Sequence, residues 1–133
     1  MKCLISLPFY PAVATQFIDY FNTTIQFQST LAYLRDPPQG YQQPPVDVLQ
    51  TLSQIQQNVT TGVYKNQYAF EADLQLLIQQ IHDTHVQLYA GALSAFSFAS
   101  PRGLVSASVD GKQPPQIYLV GMYSIQQAYV QVH

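Results

Sequence analysis

The sequence is poor in charge, has no tryptophan and contains a single cysteine. Charged residues make up 9% of its 133 residues, and five Lys or Arg against seven Asp or Glu give a formal net charge of −2. Five basic residues are too few to release the counterions of a phosphate backbone or to bind an anionic membrane. We therefore expect no nucleic-acid partner and no membrane partner.

Long apolar runs are also missing, since none approaches the ~20 residues that a bilayer-spanning helix needs. The chain nevertheless has enough apolar material to fold, because 47% of its residues are hydrophobic and 13% are aromatic. That proportion is too high for a disordered chain. The length and composition together fit a single globular unit whose surface is polar but mostly uncharged.

Signals for the cellular compartment conflict. The triplets that start at Asn22 and Asn58 fit the N-x-[ST] acceptor pattern of secreted glycoproteins. Residues 1–8 are too few to hold the apolar core of a signal peptide, so none is expected in this chain. Cys3 has no partner within the chain, and is either an inert thiol or half of a bridge to a segment further upstream.

Apolar spacing predicts three helices, over about 12–34, 47–60 and 66–82. The first region carries two offset apolar stripes, so it is either one bent helix or two helices. Asp47 is placed to cap the first turn of the second helix, and Gly62 stands where a glycine often ends one. The third region has the clearest apolar face, which predicts a core helix.

After His82 the apolar pattern changes from a period of about 3.6 to a period of 2. It predicts four strands, over about 85–90, 93–98, 104–109 and 116–120. Asp110-Gly111 predicts a hairpin turn, because glycine accepts the positive φ of such turns. Residues 121–133 carry mixed signals and have no assignment. Helices followed by strands predict an α+β fold, with a bundle of about three helices and then a small antiparallel sheet.

Only one cluster of chemically capable side chains stands out, His82-Asp83-Thr84-His85 at the predicted helix-to-strand junction. One interpretation is a solvated helix end, where histidine suits the negative end of the dipole. A second is a metal site, but His82 and His85 need at least one more ligand and none is well placed, so we predict no metal and no cofactor. The third is a catalytic histidine, because imidazole with its ordinary pKa of about 6.5 acts as a base near neutral pH.

Residues 83–86, Asp-Thr-His-Val, resemble the D-x-H-[TV] signature of the S41 family of serine peptidases. This family includes tail-specific and tricorn-type proteases and the chlamydial protease-like factor. Longer stretches are similar, in the same order, to the fungal branch of the family. They are residues 16–20, 25–34, 38–44, 63–68 and 105–111. The resemblance spans about residues 3–120, so residues 1–120 are expected to form the S41-like domain, with 121–133 as a tail.

The resemblance implies part of a larger peptidase architecture. In that family a helical N-terminal region precedes a PDZ-like or linker domain and a C-terminal αβ domain that supplies the nucleophilic serine. The resemblance also implies that His85 is the general base of a Ser-His-acid mechanism acting on a peptide or protein substrate. Asp83 then either orients the imidazole or caps the helix, and the sequence leaves both open, together with the role of His82.

The resemblance further implies that the serine and the acidic residue of the triad belong to a part of the family's chain later than the part that this sequence resembles. Ser94, Ser97 and Ser100 lack a nucleophile pattern such as G-x-S-x-G. Because triad residues act as a unit, we expect this polypeptide alone to have no peptidase activity. We also expect it to self-associate through a sheet edge that absent domains would cover.

Other functions stay open beside the peptidase. One alternative is a non-catalytic binding module for apolar or peptide ligands, as in the retinoid-binding proteins of the same fold family. Another is a truncated gene product without independent function. The resemblance further implies a secreted protein and, for the fungal branch, a role in processing precursor peptides of secondary metabolism.

Overall fold

The computed structural model describes residues 2–89, 91–97, 99 and 102–120, together with the backbone of 125–127. The chain divides into two units, Met1–Ser97 and Phe98–His133. Within the described parts, the first unit is helical and the second holds a small antiparallel sheet. The predicted α+β fold class is therefore confirmed.

The helices of the first unit are α1 (Lys2–Ile5), α2 (Pro11–Ile25), α3 (Leu31–Arg35), α4 (Val48–Thr60), α5 (Gln67–Gln80) and α6 (Gly91–Ser94). The strands of the second unit are β1 (Leu104–Ala107), β2 (Gln116–Val120) and β3 (Ile125–Gln127). None of these helices is both long enough and apolar enough to cross a bilayer.

The region predicted as a helix over 12–34 is two helices, α2 and α3, joined by a turn at residues 26–30. At the end of α2, the hydroxyls of Thr23 and Thr24 each donate to the carbonyl four residues earlier at 3.0 Å. Such bonds compete with the helical pattern, and β-branched residues are already weak helix formers. The prediction of one continuous helix over 12–34 is therefore wrong. The sequence left open one bent helix or two helices, and the chain adopts two helices.

Both ends of α4 are formed by the residues that the sequence indicates. The Asp47 Oδ1 atom accepts the backbone N–H of Gln50 at 3.0 Å, which satisfies one free donor of the first turn. At the other end Gly62 has a φ of +72°, and its N–H donates to the Val59 carbonyl at 3.2 Å. This left-handed glycine ends the helix, as predicted.

The core of the first unit lies mainly between α2, α4 and α5. Its buried side chains recur three and four residues apart on each helix, the spacing that places them on one face. The core residues of these helices are Ala14, Ile18, Ile25, Val48, Leu52, Ile55, Val59, Phe70, Leu74, Leu77 and Ile78. Leu52, Leu74 and Leu77 are at most 2% exposed. Truncating such a leucine to alanine typically costs about 2–5 kcal/mol of stability.

The predicted strands over about 85–90 and 93–98 are wrong for the described residues in these ranges. Residues 85–89 form no strand, although Val86 and Leu88 do pack against the helical core. The alternating pattern therefore arises from a segment without regular secondary structure, in which two apolar side chains pack on the core. Residues 91–94 form α6, because the buried Glu71 carboxylate accepts backbone N–H groups at the start of this helix.

The second unit is a three-stranded antiparallel sheet in the order β1-β2-β3. Leu104 pairs with Leu119, and Ala107 pairs with Gln116. The predicted strand over 104–109 ends at Ala107, and residues 108–115 form a connection longer than a tight hairpin turn. Gly111 in this connection has a φ of +67°, which is the conformation predicted for it. Apart from the backbone of β3, the unassigned tail 121–133 lies outside the described residues.

Candidate active site

The cluster at residues 82–85 begins where α5 ends. His82 has a φ of +54°, and its N–H donates to the Gln79 carbonyl at 3.3 Å. This is the left-handed position that usually holds glycine after a helix, so a histidine there carries backbone strain. After this turn Thr84 and His85 are exposed, whereas Asp83 is half-buried.

Asp83 and His85 form a close pair within this turn. The Asp83 Oδ1 atom accepts the backbone N–H of His85 at 2.9 Å and lies 3.0 Å from the Nδ1 atom of the same residue. Because a carboxylate only accepts hydrogen bonds, Nδ1 is the donor and carries the hydrogen. Nε2 is then the ring nitrogen that accepts a proton.

The two members of the pair differ in exposure. The His85 side chain is 93% exposed, whereas that of Asp83 is 30% exposed. The backbone N–H of His85, the amide of Gln28 and the ring of His85 all donate to the carboxylate and hold the pKa of Asp83 below its usual value. Asp83 is thus a fixed anion, and the imidazole beside it is open to a reacting group.

Gln28 reaches this carboxylate from the turn between α2 and α3. Its Nε2 atom donates to the Asp83 Oδ2 atom at 3.0 Å and to the Thr30 Oγ1 atom at 2.8 Å. The two oxygens of Asp83 therefore have separate partners, Gln28 on one side and His85 on the other. Sequence reasoning missed Gln28, because nothing in its local pattern indicates a partner 55 residues away.

A groove of about 520 Å³ lies beside His85, and we call it the tyrosine groove. It is lined by Thr30, Tyr33, Leu34, Pro38, Tyr41, Ile81 and residues 82–85. Tyr33 and Tyr41 are 67% and 41% exposed, so aromatic surface is available in it. Asp83 is the one carboxylate among its described lining residues, and this group is already engaged by Gln28 and His85. The groove thus suits an uncharged, partly apolar segment.

A second groove of similar size is also lined by residues of this turn. It is lined by Gln75, Ile78, Gln79, Val86, Gln87, Leu88, Tyr89 and residues 82–84. Three of its lining residues are glutamines. His82, Asp83 and Thr84 line both grooves.

The other residues singled out in the sequence are not gathered at this turn in the described structure. The hydroxyl of Ser94 donates to the Gly91 carbonyl at 3.1 Å, which is a local bond within α6. Ser97 is exposed, and Ser100 lies outside the described residues. No group of three or more His, Cys, Asp or Glu side chains in the described ranges is arranged to hold a metal ion. Cys3 is exposed and is not in a disulfide.

Comparison with known proteins confirms the resemblance seen in the sequence. Two curated peptidase S41 family proteins of Diaporthe leptostromiformis, phomP1′ and phomP1, are 36% and 34% identical to the chain over 84 residues. Each match covers 63% of this chain and 13% of the relative. The chain is thus similar to fungal S41 peptidase-family proteins. No family model and no solved structure matches it.

Proposed function

We propose that this chain contributes the general base of an S41-type serine peptidase and that His85 is that base. The proposal is supported most by the contact between Asp83 and His85, at 3.0 Å from Oδ1 to Nδ1. It is also supported by the two fungal relatives, whose names carry the same peptidase family. In the proposed reaction, Nε2 of His85 removes the proton of a serine hydroxyl as that oxygen attacks the carbonyl carbon of a peptide bond.

Asp83 has a defined part in this proposal. Its carboxylate holds the hydrogen on Nδ1 and stabilises the imidazolium that forms when Nε2 takes the proton. Imidazolium later gives that proton to the leaving amine, which restores the neutral ring. The family resemblance assigns the acidic partner to a later part of the family's chain. In the described residues of this chain, Asp83 occupies the Nδ1 side of the ring.

The proposal is tested in a chimera, because the chain spans only 13% of the length of these relatives. The matching segment of one Diaporthe relative is replaced by this chain, and the product is assayed with a serine-directed phosphonate probe and a broad peptide library. We expect His85→Ala to lower turnover by at least about 100-fold, the contribution typical of a general base. His82→Asn, which keeps a residue tolerant of the left-handed conformation, is the matched control and should lose far less.

An unchanged turnover rate in the His85→Ala chimera would contradict the proposal. A loss of equal size in both variants would also count against it, since it would point to damage of the whole turn.

We extend the proposal to the class of substrate and the compartment. The partly apolar lining of the tyrosine groove, in which the Asp83 carboxylate is already engaged by Gln28 and His85, supports a peptide with uncharged or aromatic residues near the cleaved bond. A fungal precursor peptide in the secretory path is the substrate that the resemblance implies. Cleavage sites from the peptide library, read by mass spectrometry, test the first point. Loss of mass after glycosidase treatment of the protein made by its fungal host tests the second.

A second candidate function is favoured by the tyrosine groove itself, which needs no nucleophile to hold an apolar ligand. Short aromatic peptides titrated against the 133-residue protein, with tyrosine fluorescence as the signal, test this function. Tyr33→Ala should weaken binding, whereas Tyr20→Ala should not. Tyr20 is 68% exposed and lies outside the groove, and Tyr33 is 67% exposed, so the two substitutions remove similar surface. Equal binding by both variants would exclude the tyrosine groove as the binding site.

A further inference from the structure

Among the described residues outside the 82–85 turn, Gln28 is the one whose side chain donates a hydrogen bond to the Asp83 carboxylate. Its Nε2 atom donates to Asp83 Oδ2 at 3.0 Å, while Asp83 Oδ1 faces the ring of His85 at 3.0 Å. The same Nε2 atom donates to Thr30 Oγ1 at 2.8 Å. An amide NH₂ has two hydrogens, so both bonds form at once. The result is a continuous line of contacts from Thr30 to His85.

The turn that carries Gln28 is itself held in place. The backbone N–H of Gln28 donates to the carbonyl of Ile25 at 2.9 Å. Ile25 before the turn and Leu34 after it are each 5% exposed and belong to the core. A turn anchored by buried residues on both sides presents the Gln28 amide from a fixed place, which is what a positioning group requires.

We infer that Gln28 is a positioning residue of the site: it fixes the Asp83 carboxylate so that Oδ1 faces Nδ1 of His85. The functional meaning of this inference rests on the proposed role of His85 as general base. An aspartate with one free oxygen can rotate and exchange its partner for water. Because Gln28 donates to Oδ2, the carboxylate has a single orientation in which both of its oxygens accept hydrogen bonds. The ring hydrogen then stays on Nδ1, and Nε2 stays available.

A positioning role for Gln28 can be distinguished from a merely structural one. A glutamine that only ties two loops together would, when removed, lower stability without changing which ring nitrogen carries the hydrogen. Removal of a positioning glutamine would instead change the tautomer of His85 and the pKa of Asp83. The amide of Gln28 is one of the groups that hold the pKa of Asp83 low, so its loss should raise that pKa toward the usual value.

Side-chain nitrogen NMR of the 133-residue protein, at a pH where the imidazole is neutral, measures the tautomer directly. We expect Gln28→Ala to lower the ratio of Nδ1–H to Nε2–H in His85 by about 2- to 10-fold, the range that one hydrogen bond of ordinary net strength provides. Carboxyl carbon shifts of Asp83 followed down in pH should show its pKa rise. Gln28→Met, which keeps most of the side-chain volume and removes the donor, is a second variant in case the alanine variant folds poorly.

Gln26→Ala is the matched control, because Gln26 lies in the same turn and its side-chain amide donates locally, to the Asn22 carbonyl at 3.2 Å. It should leave the His85 tautomer and the Asp83 pKa unchanged. An unchanged tautomer ratio in folded Gln28→Ala or Gln28→Met would overturn the inference, and so would an equal shift in Gln26→Ala. The measurement needs no peptidase activity, so its failure is distinct from failure of the chimera assay.

Discussion

Glu71 Oε2 accepts the backbone N–H of Leu93 at 2.9 Å, which ties α5 to the start of α6. The same carboxylate accepts the N–H of Ala92 at 2.9 Å and the side-chain amide of Gln67 at 2.8 Å. Glu71 is only 4% exposed, so its charge is satisfied by these donors in place of water. A buried carboxylate thus fixes a helix whose own sequence predicts a strand.

We predict that Glu71→Ala destabilises the protein by about 1–3 kcal/mol, because it leaves the N–H groups of Ala92 and Leu93 without their acceptor. Glu71→Gln keeps one acceptor oxygen and should cost less. Urea unfolding followed by circular dichroism measures both free energies. Gln79→Ala, at an exposed position of the same helix, is the control, and an equal loss in Glu71→Ala and Gln79→Ala would contradict the role of the carboxylate.

We predict that His82→Gly raises the free energy of unfolding by about 0.5–1 kcal/mol, since glycine adopts the observed φ of +54° without the steric cost of a β-carbon. His82→Ala keeps the β-carbon and should give no such gain. Both variants lack the imidazole, so a difference between their free energies of unfolding would come from the backbone conformation at residue 82. An alanine variant as stable as the glycine variant would show that residue 82 carries no strain.

Much of the first unit follows from local sequence. Asp47 and Asn66 cap the helices that follow them, and their partners lie three residues away, at Gln50 and Ala69. The buried faces of α4 and α5 repeat at helical spacing. Such features depend on residues within one turn of each other, so a single sequence contains all that is needed to predict them.

The errors arise where a distant residue decides the structure. Residues 91–94 form a helix because of Glu71, which lies 21 residues before Ala92 in the sequence. Val86 and Leu88 alternate like a strand but pack on helices. The site divides in the same way, because His85 and Asp83 are neighbours in sequence whereas Gln28 is not. No periodicity or spacing connects a side chain with a partner 55 residues away.

The phenol of Tyr64 makes the stability of the protein depend on pH in the alkaline range. Its hydroxyl donates to Asp73 Oδ2 at 2.7 Å, and burial, together with this hydrogen bond, raises the pKa of Tyr64 to about 12. Because the folded pKa lies above the ordinary value of 10.0, the folded state holds this proton more tightly than the unfolded state does. The resulting stability is complete below about pH 10 and is lost as the pH rises toward 12.

We therefore predict that Tyr64→Phe lowers the free energy of unfolding by about 1–2 kcal/mol at neutral pH, through loss of the hydrogen bond. The difference between the wild type and this variant should shrink between pH 10 and pH 12, the interval between the two pKa values. Urea unfolding at several pH values measures it. A difference that stays constant across this interval would show that Tyr64 ionises alike in both states.

We predict that the 133-residue polypeptide by itself shows no peptidase activity. Among the described residues that line the tyrosine groove beside His85 there is no serine, and a general base without its nucleophile retains little catalysis. A serine-directed probe and a broad peptide library measure this. Turnover by the wild-type polypeptide that disappears in His85→Ala would show that a nucleophile is already present.

The sheet of the second unit leads to a prediction about self-association. Within the described residues, β1 has a paired strand on one side only, so its other backbone edge is unpaired there. Leu104 and Val105 on this strand are 59% and 36% exposed. An unpaired edge with apolar side chains favours pairing with another copy of the chain. We therefore propose that the isolated polypeptide associates through β1, and expect it to sediment as species larger than its 14.9 kDa monomer.

A lysine on an edge strand opposes such pairing, since it places a charge where a second strand would lie. Val105→Lys should shift the distribution toward monomer in sedimentation velocity measurements. Val109→Lys makes the same chemical change at a residue that is 88% exposed and lies just outside β1, so it should leave the association in place. Because both variants alter the net charge equally, a difference between their sedimentation distributions would come from the position of the lysine on the β1 edge. A monomeric wild type, or identical behaviour of the two lysine variants, would rule out association through β1.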